Sequence, residues 1–195
     1  MKIFYGGVAG LVLAAAVAAP AAAQTQTLDI NLAGWNVVGS VDNTGNSRSL
    51  VNIGAASTVT GFEFSGLRFT AAAGSFLQDL VLTAMVPAAN LSTSPYMDLA
   101  PSAAAAAGTF GPANGSWGGA SGFSFGAPFT VPNGQLLLTA YSSYIPDAGQ
   151  LVSLTIAAGT MRVIFQPIPE PSTYALMALG LLGLGLWVRR QQMTR

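Results

Sequence analysis

The chain has 195 residues, enough for one domain with a substantial core. Hydrophobic residues make up 51% and charged residues 7%, far below the roughly 25% charge of an ordinary soluble domain. A formal net charge of zero argues against a nucleic-acid partner, and the absence of Cys and His removes disulfides, thiol chemistry, the commonest general base and the commonest transition-metal ligand.

Residues 1–23 open with Lys2, continue through an apolar stretch from Val8 to Ala19, and end on Ala21-Ala22-Ala23 before Gln24. A positive start, an apolar centre and an Ala-x-Ala ending describe a secretory signal peptide. Signal peptidase would read Ala21 and Ala23 and cut before Gln24. An uncleaved N-terminal anchor is the competing reading, and Pro20 with the small residues after it favours cleavage.

Residues 24–166 form the predicted ectodomain. Three arginines (Arg48, Arg68, Arg162) stand against six acids (Asp29, Asp42, Glu63, Asp79, Asp98, Asp147), a net charge of −3. Hydrophobicity alternates with period two, as in strands with one buried face. Strands are expected at Leu28–Leu32, Trp35–Val41, Leu50–Ile53, Thr58–Phe64, Leu67–Thr70, Leu80–Val86, Gly122–Val131, Gln135–Tyr141, Val152–Ile156 and Met161–Phe165. Phe62 and Phe64 have one parity while Leu67 and Phe69 have the other, so Ser65-Gly66 is expected to be a bulge. Pro132-Asn133-Gly134 reads as a hairpin turn, Pro146 to Gly149 as a type I turn, and Ala158-Gly159 as a link between the last two strands. Residues 87–121 break the rhythm and read as a long loop with one short strand near Thr109-Phe110 or a helical turn through Ala103–Ala107. The fold class is mainly β, an antiparallel β-sandwich of jelly-roll type.

Chemistry in this region is sparse. Six acids offer no recognisable pair for glycoside hydrolysis, and Asp79 and Glu63 read as solvated strand-face residues. No nucleophile elbow or phosphate-cradling loop occurs. No cofactor, no metal centre and no enzyme activity are therefore expected, and a secreted hydrolase is the least favoured role. Asp42 to Ser47 concentrates oxygen ligands, but Asx-rich turns do so for backbone reasons, which leaves calcium open there. Trp35, Trp117, Tyr141 and Tyr144 could form a sugar-stacking platform, with Trp117 the best glycan contact and Trp35 better read as core. Asn90-Leu91-Ser92 and Asn114-Gly115-Ser116 match the N-glycosylation pattern, a short motif that often occurs by chance.

Residues 167–195 hold the densest signal. Pro167, Pro169 and Pro171 lack backbone donors and keep their neighbours extended, a form in which a protease can bind a backbone. Ser172 is placed as helix N-cap, with Glu170 near the positive end of the helix. Residues 173–188 are 16 residues without a charge, about 24 Å of helix, marginal for a hydrocarbon core of ~30 Å. Arg189 and Arg190 would stop transfer and hold the C-terminus in the cytoplasm. The expected topology is therefore a single pass through the inner membrane, with the ectodomain outside.

The order Pro169-Glu170-Pro171-Ser172-Thr173, an apolar helix with Gly180, Gly183 and Gly185, then Arg189-Arg190 resembles the PEP-CTERM sorting signal of Gram-negative exopolysaccharide-producing bacteria. The resemblance implies that exosortase, an integral-membrane cysteine protease, recognises the Pro-Glu-Pro region and removes the helix. It further implies delivery to the envelope, the extracellular space or a biofilm matrix beside exopolysaccharide. The middle region is similar to the extracellular parts of such proteins at Thr60-Gly61-Phe62 and Gly74-Ser75-Phe76-Leu77, which implies a β-sandwich and brings no catalytic residues. A plain tail anchor is the competing reading of the C-terminus, and a carbohydrate-binding module or adhesin that of the ectodomain.

Overall fold

The computed structural model describes residues 24–119, 123–144, 153–168 and 171–193. Residues 24–168 belong to one unit, and the C-terminal segment from Pro169 belongs to another. The first unit contains β1 (Gln26–Asn31), β2 (Asn36–Val37), β3 (Arg48–Asn52), β4 (Ser57–Ala71), β5 (Leu80–Met85), β6 (Tyr96–Ala100), β7 (Gly108–Ser116), β8 (Phe123–Gly126), β9 (Phe129–Val131), β10 (Gln135–Ser142) and β11 (Leu154–Gln166). One sheet has the order β1-β11-β4-β7, with β2 beside β11 and β9 beside β4. The other has the order β3-β10-β5-β6-β8. Their pairings are antiparallel.

Both sheets feed one buried apolar cluster. Phe62, Phe64, Leu67 and Phe69 of β4 and Ile156, Met161 and Val163 of β11 enter it from the first sheet. Leu80 and Leu82 of β5, Met97 and Leu99 of β6, and Leu136 and Leu138 of β10 enter from the second. Side chains from two facing sheets filling one core make a sandwich-like β body.

The predicted bulge is present. Between Phe64 and Leu67 the β4–β7 register slips, Gly66 takes φ +60, and all four apolar residues around the slip are at most 2% exposed. A second slip, between Ile164/Phe165 of β11 and Gly61/Val59 of β4, carries the core set from Val59 to Phe62.

Several expectations require correction. Ala158-Gly159 does not separate two strands. It is an irregularity inside the 13-residue β11, and Gly159 at φ +134 moves the inward set from Leu154 and Ile156 to Met161 and Val163. Trp35–Val41 yields only the two-residue β2, because Asn46 binds the following backbone instead. Its Oδ1 accepts from the Val38 N–H at 2.9 Å and the Gly39 N–H at 3.2 Å. Gly122–Val131 splits into β8 and β9, which lie in different sheets. Residues 87–121 are not one long loop, since β6 and β7 both lie there, while Ala103–Ala107 form no helical turn. The expected turn at Pro146 to Gly149 lies outside the described residues.

Pro132-Asn133-Gly134 is a turn but not a hairpin, because it carries the chain from β9 in one sheet to β10 in the other. The loop after β3 clamps it. Ile53 N–H donates to the Gly134 carbonyl at 2.8 Å and Ala56 N–H to the Pro132 carbonyl at 3.0 Å. Gly134 has φ +71, and a Cβ there would lie 2.5 Å from the Gly54 carbonyl carbon. Gly134→Ala is expected to lower stability by at least about 1–2 kcal/mol from the left-handed backbone alone. Urea denaturation of the two proteins checks this, and equal midpoints would refute it.

The outer face of β5 also departs from expectation. Val81, Thr83 and Met85 are buried rather than solvated, and Met85 joins Leu91 and Leu137 in a second small cluster against Val41. Asp79 is likewise buried, at 4% exposed. Its carboxylate accepts the Phe76 N–H at 3.0 Å and closes a single helical turn at Leu77–Asp79. Glu63 does lie on an open strand face, opposite Arg162.

Candidate functional site

The C-terminal segment leaves the β body at the end of β11. Gln26 of β1 is registered with Phe165, and the Gln166 side-chain amide donates to Thr25 Oγ1 at 3.3 Å. The exposed Gln24 and the exit towards the proline strip therefore adjoin one end of the same strand pair. Ala21 and Ala23 lie outside the described residues, as do Pro169 and Glu170. Pro167 and Ile168 follow β11 without regular structure, and Ile168 is 46% exposed.

The helix α1 (Pro171–Met193) has 23 residues and differs from expectation at both ends. It begins at Pro171, so Ser172 lies inside the first turn rather than capping it. Proline suits a first helical position, where its missing N–H would have no intrahelical partner. At the other end Arg189 and Arg190 lie within the helix rather than after it, where cations suit the negative end of the helix dipole. Leu179, Leu182, Leu184, Leu186 and Trp187 are each 59–67% exposed. Among the described residues no helix is long and apolar enough to cross a membrane.

In the β body, Trp117 is half-buried and packs against the core. Its indole N–H donates to the Phe125 carbonyl at 2.9 Å, and its backbone N–H donates to the Phe62 carbonyl at 2.8 Å. The side chain thus ties the end of β7 to β8 of the other sheet. Trp35 and Tyr144 also pack against the core, as expected for Trp35. Tyr141 lies apart, its hydroxyl donating to Asp98 Oδ2 at 2.7 Å. Asn114 Oδ1 accepts the Gly66 N–H at 2.8 Å and Asn90 caps a helical turn at Leu91–Thr93.

The Asp42–Ser47 loop already holds a cation, the guanidinium of Arg48. Arg48 Nη2 donates to the carbonyls of Val41 at 2.7 Å and Asn43 at 2.9 Å. Asp42 Oδ1 accepts the Leu91 N–H at 3.0 Å, and Asn43 Oδ1 accepts the Gly45 N–H at 2.9 Å. The Asp42 oxygen thus serves the loop after β5, and the Asn43 oxygen its own loop's backbone. Among the described residues no group of three or more acidic side chains comes together.

Asp29 and Glu63 flank Arg162 on neighbouring strands, at 2.6 Å and 3.5 Å. The Arg162 hydrogen bond holds the Asp29 carboxyl below its ordinary pKa. Both partners are about half exposed, so solvent screens the pair and it adds little to stability.

Two further features were not legible as sites in the sequence. Phe123 and Phe125 of β8 are 57% and 56% exposed, on the same sheet face as their partners Ala100 and Asp98. Asp98 itself is 7% exposed, and its Oδ1 has no hydrogen-bond partner. Nothing in the local sequence distinguishes it from the surface acids. Burial raises its pKa against the opposing pull of the Thr83 and Tyr141 hydroxyls, while burial and the Asp98 charge push the Tyr141 hydroxyl up. The folded chain therefore retains a proton on Asp98 at pH values where the unfolded chain, near an ordinary pKa of about 3.9, has lost it. This contribution to stability is full below the unfolded value and declines as pH rises through the folded value. Asp98→Asn is expected to flatten that decline in denaturation midpoints measured across the carboxylate range. An unaltered slope would show that Asp98 is not its source.

No curated protein matches the chain in sequence. Among solved structures, the VP2 subviral particle of infectious bursal disease virus aligns with 77% of this chain and 43% of its own, at 12% identity and a TM-score of 0.34. The Gx strain of that virus aligns with 74% of this chain and 33% of its own, at 16% identity and a TM-score of 0.33. The chain thus spans less than half the length of these structures, and TM-scores this low do not establish a shared fold. The family model of the PEP-CTERM protein-sorting motif matches residues 167–190, the segment that runs from the end of β11 through Arg190. The chain therefore carries a PEP-CTERM sorting signal, the mark of an exported protein that exosortase sorts.

Proposed function

We propose that the chain is a non-enzymatic cell-envelope or biofilm-matrix protein, exported through its N-terminal signal peptide, held in the inner membrane by its C-terminal helix, and released by exosortase beside secreted exopolysaccharide. The match of residues 167–190 to the sorting motif carries this reading. In the membrane the uncharged run reaches across by local thinning of the bilayer and by anchoring of Trp187 and the arginines at its edge. Arg189 and Arg190 keep the C-terminus cytoplasmic and the β body outside.

The absence of His and Cys supports a role without catalysis. So does the engagement of the described acids: Asp29 and Glu63 with Arg162, Asp42 and Asp79 with backbone N–H groups, and Asp98 with Tyr141. The body is read as a jelly-roll variant because β3 to β11 pass repeatedly from one sheet to the other. Fractionation of an epitope-tagged chain in a host with and without its exosortase gene tests the proposal. The expected result is a shortened extracellular form only when the enzyme is present. A full-length membrane form in both strains would refute it.

A further inference from the structure

A recess of about 520 Å³ opens on the outer side of the five-stranded sheet, between the loop that precedes β3 and the loop that follows β5. That volume falls within the usual range for small-molecule sites, roughly 300–1,000 Å³. Leu137 forms part of its floor, while Asp42, Thr44, Arg48, Asn90 and Ser92 surround it. Its two walls are locked together by the bond from the Leu91 N–H to Asp42 Oδ1 at 3.0 Å, so the recess is already formed.

The charges in it are unusually arranged. Arg48 and Asp42 line the same space yet form no ion pair, whereas Arg162 holds two carboxylates. The Arg48 guanidinium is fixed by Nη2 alone, through the Val41 and Asn43 carbonyls. Its Nε is buried away from the recess without a hydrogen-bond partner, which leaves Nη1 as the donor that a ligand can reach. A half-buried, oriented guanidinium lacking an anion, facing a carboxylate with one oxygen already committed, calls for a ligand with an acid at one end and hydrogen-bond donors at the other.

We propose that this recess binds a carboxylate-bearing sugar, a uronic acid unit of an acidic polysaccharide. Arg48 takes the carboxylate. Asp42 accepts from ring hydroxyls, and Thr44, Asn90 and Ser92 bind the remaining hydroxyls. Leu137 meets an apolar face of the ring. The Ser92 hydroxyl already donates to Asn90 Oδ1, but the Asn90 amide N–H groups and the Ser92 oxygen lone pairs are still on offer. With Thr44 they fit a polyhydroxylated ring better than an amino acid. The site is distinct from the sorting signal and does not depend on it.

Isothermal titration calorimetry tests this, using the full-length chain in detergent against oligomers of galacturonate, glucuronate and mannuronate, each also in carboxyl-reduced form. At least one acidic oligomer is expected to bind, and at least about tenfold more tightly than its reduced counterpart. Arg48→Gln should abolish the difference. Asp42→Asn retains an oxygen for the Leu91 N–H, so the loops stay locked, and it should weaken binding several-fold. Glycine and acetate, added alone, should not compete at equal concentration. Binding of no acidic oligomer, equal binding of acidic and reduced forms, or full competition by glycine would each overturn the proposal. The comparison of acidic and reduced forms uses the unaltered chain, so a variant that fails to fold does not decide the outcome.

Discussion

Replacing Glu170 by Gln is expected to slow removal of the C-terminal helix at least about tenfold and to leave the chain at the membrane. The substitution keeps size and backbone preference and removes only the negative charge. A charge-assisted hydrogen bond to a recognition site contributes about 1.5–3 kcal/mol, which corresponds to roughly a ten- to hundredfold change in cleavage rate if it is made in the transition state. The prolines on either side act differently. Pro169 and Pro171 bias the residues before them towards extended angles, and Pro171 also starts α1. Pro169→Ala should therefore slow processing by a smaller factor. Pro167→Ala, outside the Pro-Glu-Pro core, should have the least effect. Pulse–chase labelling in the native host gives the three rates. A Glu170→Gln chain processed at the ordinary rate would show that the charge takes no part in recognition.

Deletion of Glu63 is expected to leave much of the β body unfolded. Side chains alternate faces along a strand, so removing one residue from a regular stretch inverts the faces on one side of it. Phe62 and Val59, now at most 1% exposed, would turn outward if Phe64 and Leu67 kept their places. Each buried large apolar side chain is worth about 1.5–3 kcal/mol, a large share of the 5–15 kcal/mol that holds a typical domain together. Deletion of Gly66 has a smaller effect, because it removes the extra residue of the bulge. Phe62, Phe64, Leu67 and Phe69 then alternate without a break, and the register against β7 and β11 is what suffers. Substitution at the same place is milder still, because a Cβ on Gly66 would meet nothing within 4 Å and only the φ of +60 opposes it. Gly66→Ala should therefore fold with a loss of about 1–2 kcal/mol. Circular dichroism and urea denaturation separate the cases, and a Glu63 deletion as stable as the Gly66 deletion would refute the assignment of the bulge.

The contrast between these variants indicates which parts of the fold could be read from the chain. The slip at Ser65-Gly66 was legible because large apolar residues stand on both sides of it and their parity changes across it. The β1, β3 and β10 strands were legible for the same reason. The β6 and β7 strands were not. Asp98 stands within β6 where an acid ordinarily signals an exposed surface, and its burial under Tyr141 depends on a partner 43 residues away. The nine residues of β7 contain Gly108, Gly111, Pro112 and Gly115, which locally favour a loop. Their pairing with β4 overrides that preference. Turn chemistry at Pro132–Gly134 was read correctly, but whether the strands it joins share a sheet is settled by tertiary packing.

The functional signals divide in the same way. The sorting segment is linear: proline strip, uncharged run and arginines follow one another, and all three could be read without a fold. The recess around Arg48 joins residues 42–48 to residues 87–92 and to Leu137. No local pattern announces such a site, since Arg48 alone is an unremarkable strand residue. Trp117 shows the converse. Its Gly- and Ser-rich surroundings suggest an exposed aromatic, but its indole N–H and its packing are committed to linking β7 with β8.

Intact-mass spectrometry of the extracellular protein from the native host tests the central claim most directly. The account predicts a chain that starts at Gln24 and stops between Ile168 and Thr173, with α1 missing. A secreted or envelope-bound form still carrying Arg195 would contradict it.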